Sequence, residues 1–414
     1  MKKIFLLVML FALPVFPQFV EYNYGTSFSN YPLNTIKLFG VGNRGFDARL
    51  NTYNPKYQKN DSSFSITFSL LSNISAKRTE NKANEVVREY SSNNYILPEF
   101  ALGIKNQRLQ FLLAYYNQLD FSYIADRSDN SFFYPNNGVT EVIEEDNAKL
   151  RSRNSVLQFS AMLRLFEHTS LSASIIANNF SIDNNWEDLG LLYENNIFDK
   201  FQFLFSVNQS FFDDLSAYFL FKTQNNPTKL DGTGSKIAEN KITPDIYFYN
   251  HGNIGYGIQY KFFERFKLSL ELLHQFYDGQ ITYPVFPVEG EKNTYTEEHS
   301  IWNNEFILGA NINLINDLNI GISFSKYFKY DDYFTESRIK IQNPITLIFY
   351  YSQVPKPYTL TGAIEYAYKN YRASLYYQYS AMEYHFRSES GEEYPYSINA
   401  NSSYIKLSLG ISLF

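Results

Sequence analysis

Cysteine is absent from all 414 residues, which removes disulfides, thiolate metal sites and cysteine nucleophiles from consideration. Long apolar runs are also missing. Beyond the first residues, no segment approaches the roughly 20 unbroken apolar residues that a spanning helix needs. Tryptophan occurs only twice. Positive charge is not in excess, since the formal net charge is −6, so the electrostatic footprint of a nucleic-acid binder is lacking. Neither a Gly-x-Ser-x-Gly elbow nor a phosphate-cradling glycine loop occurs. The histidines His168, His251, His274, His299 and His385 are scattered without metal-ligand spacing. No cofactor, metal site or enzymatic activity is expected from these residues.

What is present is a rhythm of two. In Ser63-Phe64-Ser65-Ile66-Thr67-Phe68-Ser69-Leu70 every second residue is apolar, and the pattern returns in Leu157/Phe159/Ala161/Leu163/Leu165, Phe201/Phe203/Phe205/Val207, Leu268/Leu270/Leu272 and Leu318/Ile320/Ile322/Phe324. Such alternation specifies strands with one apolar face. Tight connections near 105–107, 166–169, 212–214, 263–265, 315–317 and 369–370 alternate with long polar ones at 77–93, 125–150, 183–195, 223–243, 278–300, 331–357 and 387–402. The predicted fold is all-β, a transmembrane antiparallel β-barrel of about 14 strands, with short periplasmic turns and long outer loops. Tyrosine and phenylalanine, 36 and 38 residues, suit the aromatic girdles of such a wall.

Three divisions are expected. Residues 1–17, with Lys2, Lys3 and a short apolar core, have the form of a secretory signal peptide. Residues 18–62 lack sustained alternation but carry Ile36, Leu38, Phe39, Val41, Phe46 and Leu50, which favours a small plug (hatch) in the lumen over a loose tail. Residues 63–414 form the barrel and end on Phe414, which falls out of phase with the last strand.

With these features together, the chain resembles the FadL/TodX-type (OMPP1-like) family of outer-membrane transport proteins. Phe39-Gly40-Val41-Gly42-Asn43-Arg44-Gly45-Phe46 followed by Tyr53-Asn54-Pro55 looks like the plug of that family, although Lys56 stands where a small residue usually follows the Asn-Pro pair. The resemblance implies passive uptake of hydrophobic compounds, such as long-chain fatty acids, across the outer membrane of a Gram-negative bacterium. It also implies an apolar pocket in the lumen and a sideways exit through the wall. Gly40, Gly42, Gly45, Asn54 and Pro55 would then belong to the plug or gate. The alternative implied by FadL-like barrels is a shuttle that binds secreted or surface proteins in a type IX-like secretion system. Outer-membrane lipid and lipopolysaccharide are partners under either reading, and nucleic acid under neither.

If the apolar phase faces lipid, the opposite phase faces inward. It carries Leu112, Tyr116, Met162, Ile176, Leu204, Tyr218, Leu220, Leu273 and Tyr376 as candidate lumen residues. These either line a hydrophobic pocket or pack against the plug. Among the inward charges Glu99, Arg164, Lys222, Lys261, Glu271, Glu305, Glu365, Arg372 and Lys406, the guanidinium groups of Arg164 and Arg372 are candidate anchors for a ligand carboxylate, with mutual ion pairing as the alternative. Pro98 interrupts the second predicted strand and cannot donate a ladder hydrogen bond, so it marks a bulge, an unpaired edge or a gap in the wall.

Overall fold

The computed structural model describes most of the strands and tight turns between residues 64 and 413. The predicted signal peptide 1–17, the plug 18–62 with Gly40, Gly42, Gly45, Asn54 and Pro55, and much of the longer connections lie outside the described residues. Fourteen strands form one wall: β1 Phe64–Asn81, β2 Ile96–Lys105, β3 Leu109–Ile124, β4 Lys149–Phe166, β5 Thr169–Asn185, β6 Phe201–Ser210 and β7 Leu215–Lys222, then β8 Gly252–Phe262, β9 Phe266–Pro284, β10 Thr294–Ile315, β11 Leu318–Lys329, β12 Tyr358–Tyr368, β13 Tyr371–Arg387 and β14 Glu393–Leu413. Each pairs antiparallel with the next. β14 returns to pair with β1 from Phe64↔Leu413 to Asn81↔Tyr396. The sheet is therefore closed, which leaves no long edge to satisfy in a membrane.

Exposure identifies the solvent outside this wall. Along β1 the polar residues Ser65, Thr67 and Ser69 are 4%, 3% and 1% exposed, while Ile66, Phe68 and Leu70 between them are 45%, 47% and 37% exposed. A water-soluble sandwich would show the reverse. The same inversion runs through β6, where Phe201, Phe203, Phe205 and Val207 face out and Gln202, Ser206 and Asn208 are buried. An outward apolar band over a polar interior is the arrangement a lipid-embedded barrel requires.

The six tight turns fall where the sequence places them, and all lie at one end of the barrel with Phe64 and Leu413. Between β2 and β3, Asn106 Oδ1 accepts the backbone N–H groups of Arg108 and Leu109 at 3.0 and 2.8 Å, so its side chain substitutes for a ladder rung. Phe263, between β8 and β9, takes a positive φ of 57°, an unfavourable conformation for a bulky side chain. Its ring is exposed, as are those of Phe166, Phe211, Phe212, Tyr368 and Tyr371 at the same end. Together they make an aromatic rim at interfacial depth.

The outer segments depart from expectation. Residues 278–300 are largely ladder, because β9 and β10 remain paired up to Pro284↔Thr294. β13 and β14 likewise continue to Arg387↔Glu393 across most of 387–402. A separate hairpin, Ser128–Phe133 with Thr140–Glu145, occupies part of 125–150. Beyond the membrane both faces of a ladder can be polar, so backbone pairing continues after the apolar period has faded.

Candidate functional site

The inner wall is chemically uneven. On β2 to β4, Ala101, Leu112, Ala114 and Met162 form one buried apolar cluster with Tyr116 against it. On β4 to β7, Val156, Ile176, Leu204 and Leu220 form a second, with Tyr116 and Tyr218 against it. Tyr116 touches both, so the two make one apolar stretch around nearly half of the barrel. Opposite it, on β11 to β14 and β1, the buried inward positions are mostly hydroxyls: Ser323, Ser325, Thr359, Thr361, Ser380, Ser403, Ser408, Ser65, Thr67 and Ser69. Leu273 and Tyr376 are also buried, but Tyr376 lies on the hydroxyl-rich side, away from the apolar stretch. Arg164 and Arg372 are half-buried.

The tyrosines are not free rings. Tyr218 donates its hydroxyl to Glu271 Oε2 at 2.6 Å, reaching from β7 to β9 over the intervening β8. This is possible because β8 has Gly257 at the crossing point, where an added Cβ would lie 2.6 Å from Tyr218 Cε1 and 2.9 Å from Glu271 Cγ. Gly255 makes the same allowance for Leu220. Tyr376 similarly donates to Glu365 Oε1 at 2.6 Å, and Tyr116 to Gln158 Oε1 at 3.0 Å. Each ring thus presents an apolar face to the lumen while its polar tip is satisfied. Alternating glycines on the inward phase of β8 were the available sequence sign of side chains lying across that strand.

Lys222 stands opposite Leu204 at the margin of the second cluster, and its ammonium makes no hydrogen bond or ion pair among the described residues. The side chain of Arg164 makes none either.

Among the described residues, the wall is interrupted beside this apolar stretch between β2 and β3. β2 pairs with β1 as far as Leu71↔Leu97 and Ser72↔Ile96. On its other edge it pairs with β3 only from Lys105↔Gln110 to Phe100↔Tyr115. Above that rung β3 continues against β4, with a register shift between Asn117 and Leu119, has no ladder with β2, and meets the short strand Val86–Ser91 at Ser91↔Ile124. Pro98 sits just above the last rung, opposite Leu70, exposed on the outer face, and in unbroken register with β1. It therefore marks an unpaired edge and not a bulge. Ala101 and Ala114 face each other one rung below the end of the ladder, and on the lipid side the Phe100 and Tyr115 rings stack at 5.7 Å. The interruption lies between the apolar lumen cluster and the lipid.

No family model and no curated protein sequence matches the chain. Solved structures do. The toluene transporter TbuX of Ralstonia pickettii superposes with a TM-score of 0.55 at 12% identity, covering 86% of this chain and 90% of that one. The toluene transporter TodX of P. putida gives 0.55 at 11% identity, covering 88% and 92%. A Pseudomonas aeruginosa FadL homologue gives 0.52 at 9% identity, covering 85% and 90%. The fold is that of the FadL/TodX-type outer-membrane barrels.

TbuX and TodX are toluene transporters. One feature of this chain invites an enzymatic reading, namely a histidine on the lipid face of the wall. His274 is outward, but its nitrogens are engaged by Tyr256 Oη at 3.0 Å and Asn304 Oδ1 at 2.5 Å. No serine pairs with it among the described residues. Its ring lies 5.5 Å from Tyr256 and 5.9 Å from Trp302, which stacks on Phe276 at 6.0 Å. The geometry is that of an aromatic girdle with its polar tips satisfied, not of a nucleophile and its base.

Proposed function

We propose that this protein is a passive channel in the bacterial outer membrane for hydrophobic compounds, long-chain fatty acids or similar molecules, with a lateral exit between β2 and β3. The observation that carries this reading is the juxtaposition at the exit. The β2–β3 ladder stops at Phe100↔Tyr115, with the Ala101, Leu112, Ala114 and Met162 cluster immediately inside. A solute that needs water would gain nothing from that route, whereas an apolar one leaves an apolar wall directly for lipid. Leu112, Met162, Ile176, Leu204, Leu220, Tyr116 and Tyr218 are the proposed lining, and Leu273 and Tyr376 make a smaller contribution. Lys222, which has no partner among the described residues and stands beside Leu204, suits the carboxylate of an amphiphile better than Arg372, which is already engaged. Arg164 is the second candidate anchor. Gly40, Gly42, Gly45, Asn54 and Pro55 are assigned to the plug that would gate the lumen from within, and residues 1–17 to the export signal.

The test has two parts. Mass spectrometry of small molecules co-purifying with the full-length barrel should find an acyl chain or hydrocarbon at near-stoichiometric amounts. Ala114→Trp should lower uptake of labelled oleate about tenfold by overfilling the exit, with the folded barrel confirmed by its heat-modifiable gel mobility. An empty lumen together with unchanged uptake in a folded Ala114→Trp barrel would overturn the reading. The protein-shuttle alternative draws on the tall β9–β10 hairpin, paired up to Pro284↔Thr294. It is favoured if polypeptide and no lipid co-purifies.

A further inference from the structure

Where the β2–β3 ladder ends, a side chain takes its place. Glu99 is the inward residue immediately above the last rung, and its carboxylate is fully buried. Its Oε1 accepts the backbone N–H of Asn117 on β3 at 2.9 Å, so the first bridge across the opening is made by a side chain where a main-chain carbonyl would otherwise serve. The second oxygen, Oε2, lies 2.6 Å from Lys406 Nζ, and both side chains are at 1% exposure or less. Lys406 belongs to β14, which is separated from β2 by β1. On the far side Asn117 Oδ1 accepts the hydroxyl of Ser155 on β4 at 3.0 Å. The connection therefore runs from β14, past β1, through Glu99 on β2, over the opening to β3 and on to β4.

We infer that Glu99 and Lys406 form a latch that sets the width of the lateral opening, Glu99 as the bridging group and Lys406 as the group that positions it. A ladder rung is held by two strands of fixed register, whereas this bridge hangs on one carboxylate that can rotate about its side-chain torsions. It is strong because it is charge-assisted and dry. Its loss leaves every strand pairing intact, including Ser91↔Ile124 further up. An apolar ligand that passes above the Phe100↔Tyr115 rung, over Ala101 and Ala114, has to displace one hydrogen bond, not a ladder. Swinging Glu99 away from Asn117 while it stays on Lys406 opens the gap without leaving either charge unpaired, which avoids the main cost of moving a buried ion. The inference rests on the lateral-exit reading above and assigns its regulation.

The test uses full-length protein in lipid nanodiscs and two readouts. Amide hydrogen exchange over 96–99 and 116–119 reports the latch itself, and uptake of labelled oleate in cells reports the exit. Three variants separate the parts. Glu99→Gln keeps an acceptor for the Asn117 N–H but loses the ion pair. Glu99→Ala loses both, and Glu99→Gln/Lys406→Met retains the bridge with no charge to strand. Glu99→Ala should speed exchange in both segments by at least about tenfold, the factor expected when one charge-assisted hydrogen bond is lost, with β10 unchanged. The double variant, which guards against simple misfolding, should stay nearer to wild type. Exchange at 116–119 that is the same in a folded Glu99→Ala barrel as in wild type would overturn the latch. If exchange rises and uptake rises with it, latch and exit both stand. If exchange rises while uptake stays at the wild-type rate, the bridge is structural and the lateral exit is the reading that fails.

Discussion

Two seams of this barrel, separated by the β1–β2 pair, are built on opposite terms. Between β14 and β1 the chain closes on itself with continuous pairing from Phe64↔Leu413 to Asn81↔Tyr396 and no register shift. Between β2 and β3, two strands further round, the ladder ends at Phe100↔Tyr115, and a carboxylate from Glu99 carries the connection onward. The two seams share β1 and β2 as a stiff panel, since β1 pairs with β2 from Phe64↔Ile104 to Ser72↔Ile96. Under the lateral-exit reading, wall integrity and wall permeability are assigned to separate joints. Continuous main-chain pairing resists opening along its whole length at once, while a joint held by side chains can open locally. The lumen follows the same division, with hydroxyls behind the sealed seam and the apolar stretch behind the interrupted one.

The comparison breaks most severely if the sealed seam is damaged. Leu407 pairs with Leu70 on one side and Leu375 on the other, so Leu407→Pro removes a donor from a strand paired on both edges, a place proline does not occupy in natural sheets. The expected result is loss of assembly, a cost of more than about 4 kcal/mol, seen as disappearance of the heat-modifiable folded band. Next in size is Lys406→Met, which leaves the Glu99 carboxylate buried without its cation. Breaking a buried pair from one side costs about 3–5 kcal/mol, measurable as a lowered unfolding midpoint in denaturant, and Glu99→Gln added to Lys406→Met should restore most of it. A smaller effect is expected of Lys222→Met. It should leave stability within about 1 kcal/mol of wild type, weaken uptake of labelled oleate severalfold, and leave uptake of a neutral hydrocarbon such as toluene unchanged. Equal effects on both probes would remove Lys222 from the ligand site.

The sealed parts of the wall were readable in the chain, and the interrupted part was readable only in outline. Ser65-Ile66-Thr67-Phe68 announces its two faces because a period of two has only one physical meaning when one side must meet lipid. Turns such as Lys105-Asn106-Gln107 announce themselves through the asparagine that caps them. Pro98 pointed to a defect in the right strand, but proline says only that an N–H is missing and not which neighbour goes without. Glu99 stood on the inward phase, yet its partner Lys406 lies more than 300 residues further along the chain, and nothing local in either strand relates them. Asn117, Ala101 and Ala114 carried no signal, since small and amide residues are common on any inner wall. Tyr218 and Tyr376 read as apolar lining because composition shows the ring, while the carboxylates that hold their hydroxyls, Glu271 and Glu365, sit on other strands.

The most delicate way to sharpen the comparison is Pro98→Val. Pro98 is exposed on the outer face directly above the last β2–β3 rung, and its pairing with Leu70 on β1 is already in register. Valine restores a backbone N–H and a β-branched side chain suited to a pleated, lipid-facing position. It asks for no change in β1, so any new bond must come from the interrupted side or stay within the existing pair. Because one hydrogen bond contributes about 1 kcal/mol net, stability should rise by no more than that. Uptake of labelled oleate should fall about two- to fivefold, because the same bond now has to be broken at each passage. Uptake unchanged in a folded Pro98→Val barrel would mean that the opening is set wholly by the Glu99 bridge. A fall in uptake that disappears when Glu99→Ala is added would place proline and carboxylate on one joint, with the proline withholding the rung that the carboxylate replaces.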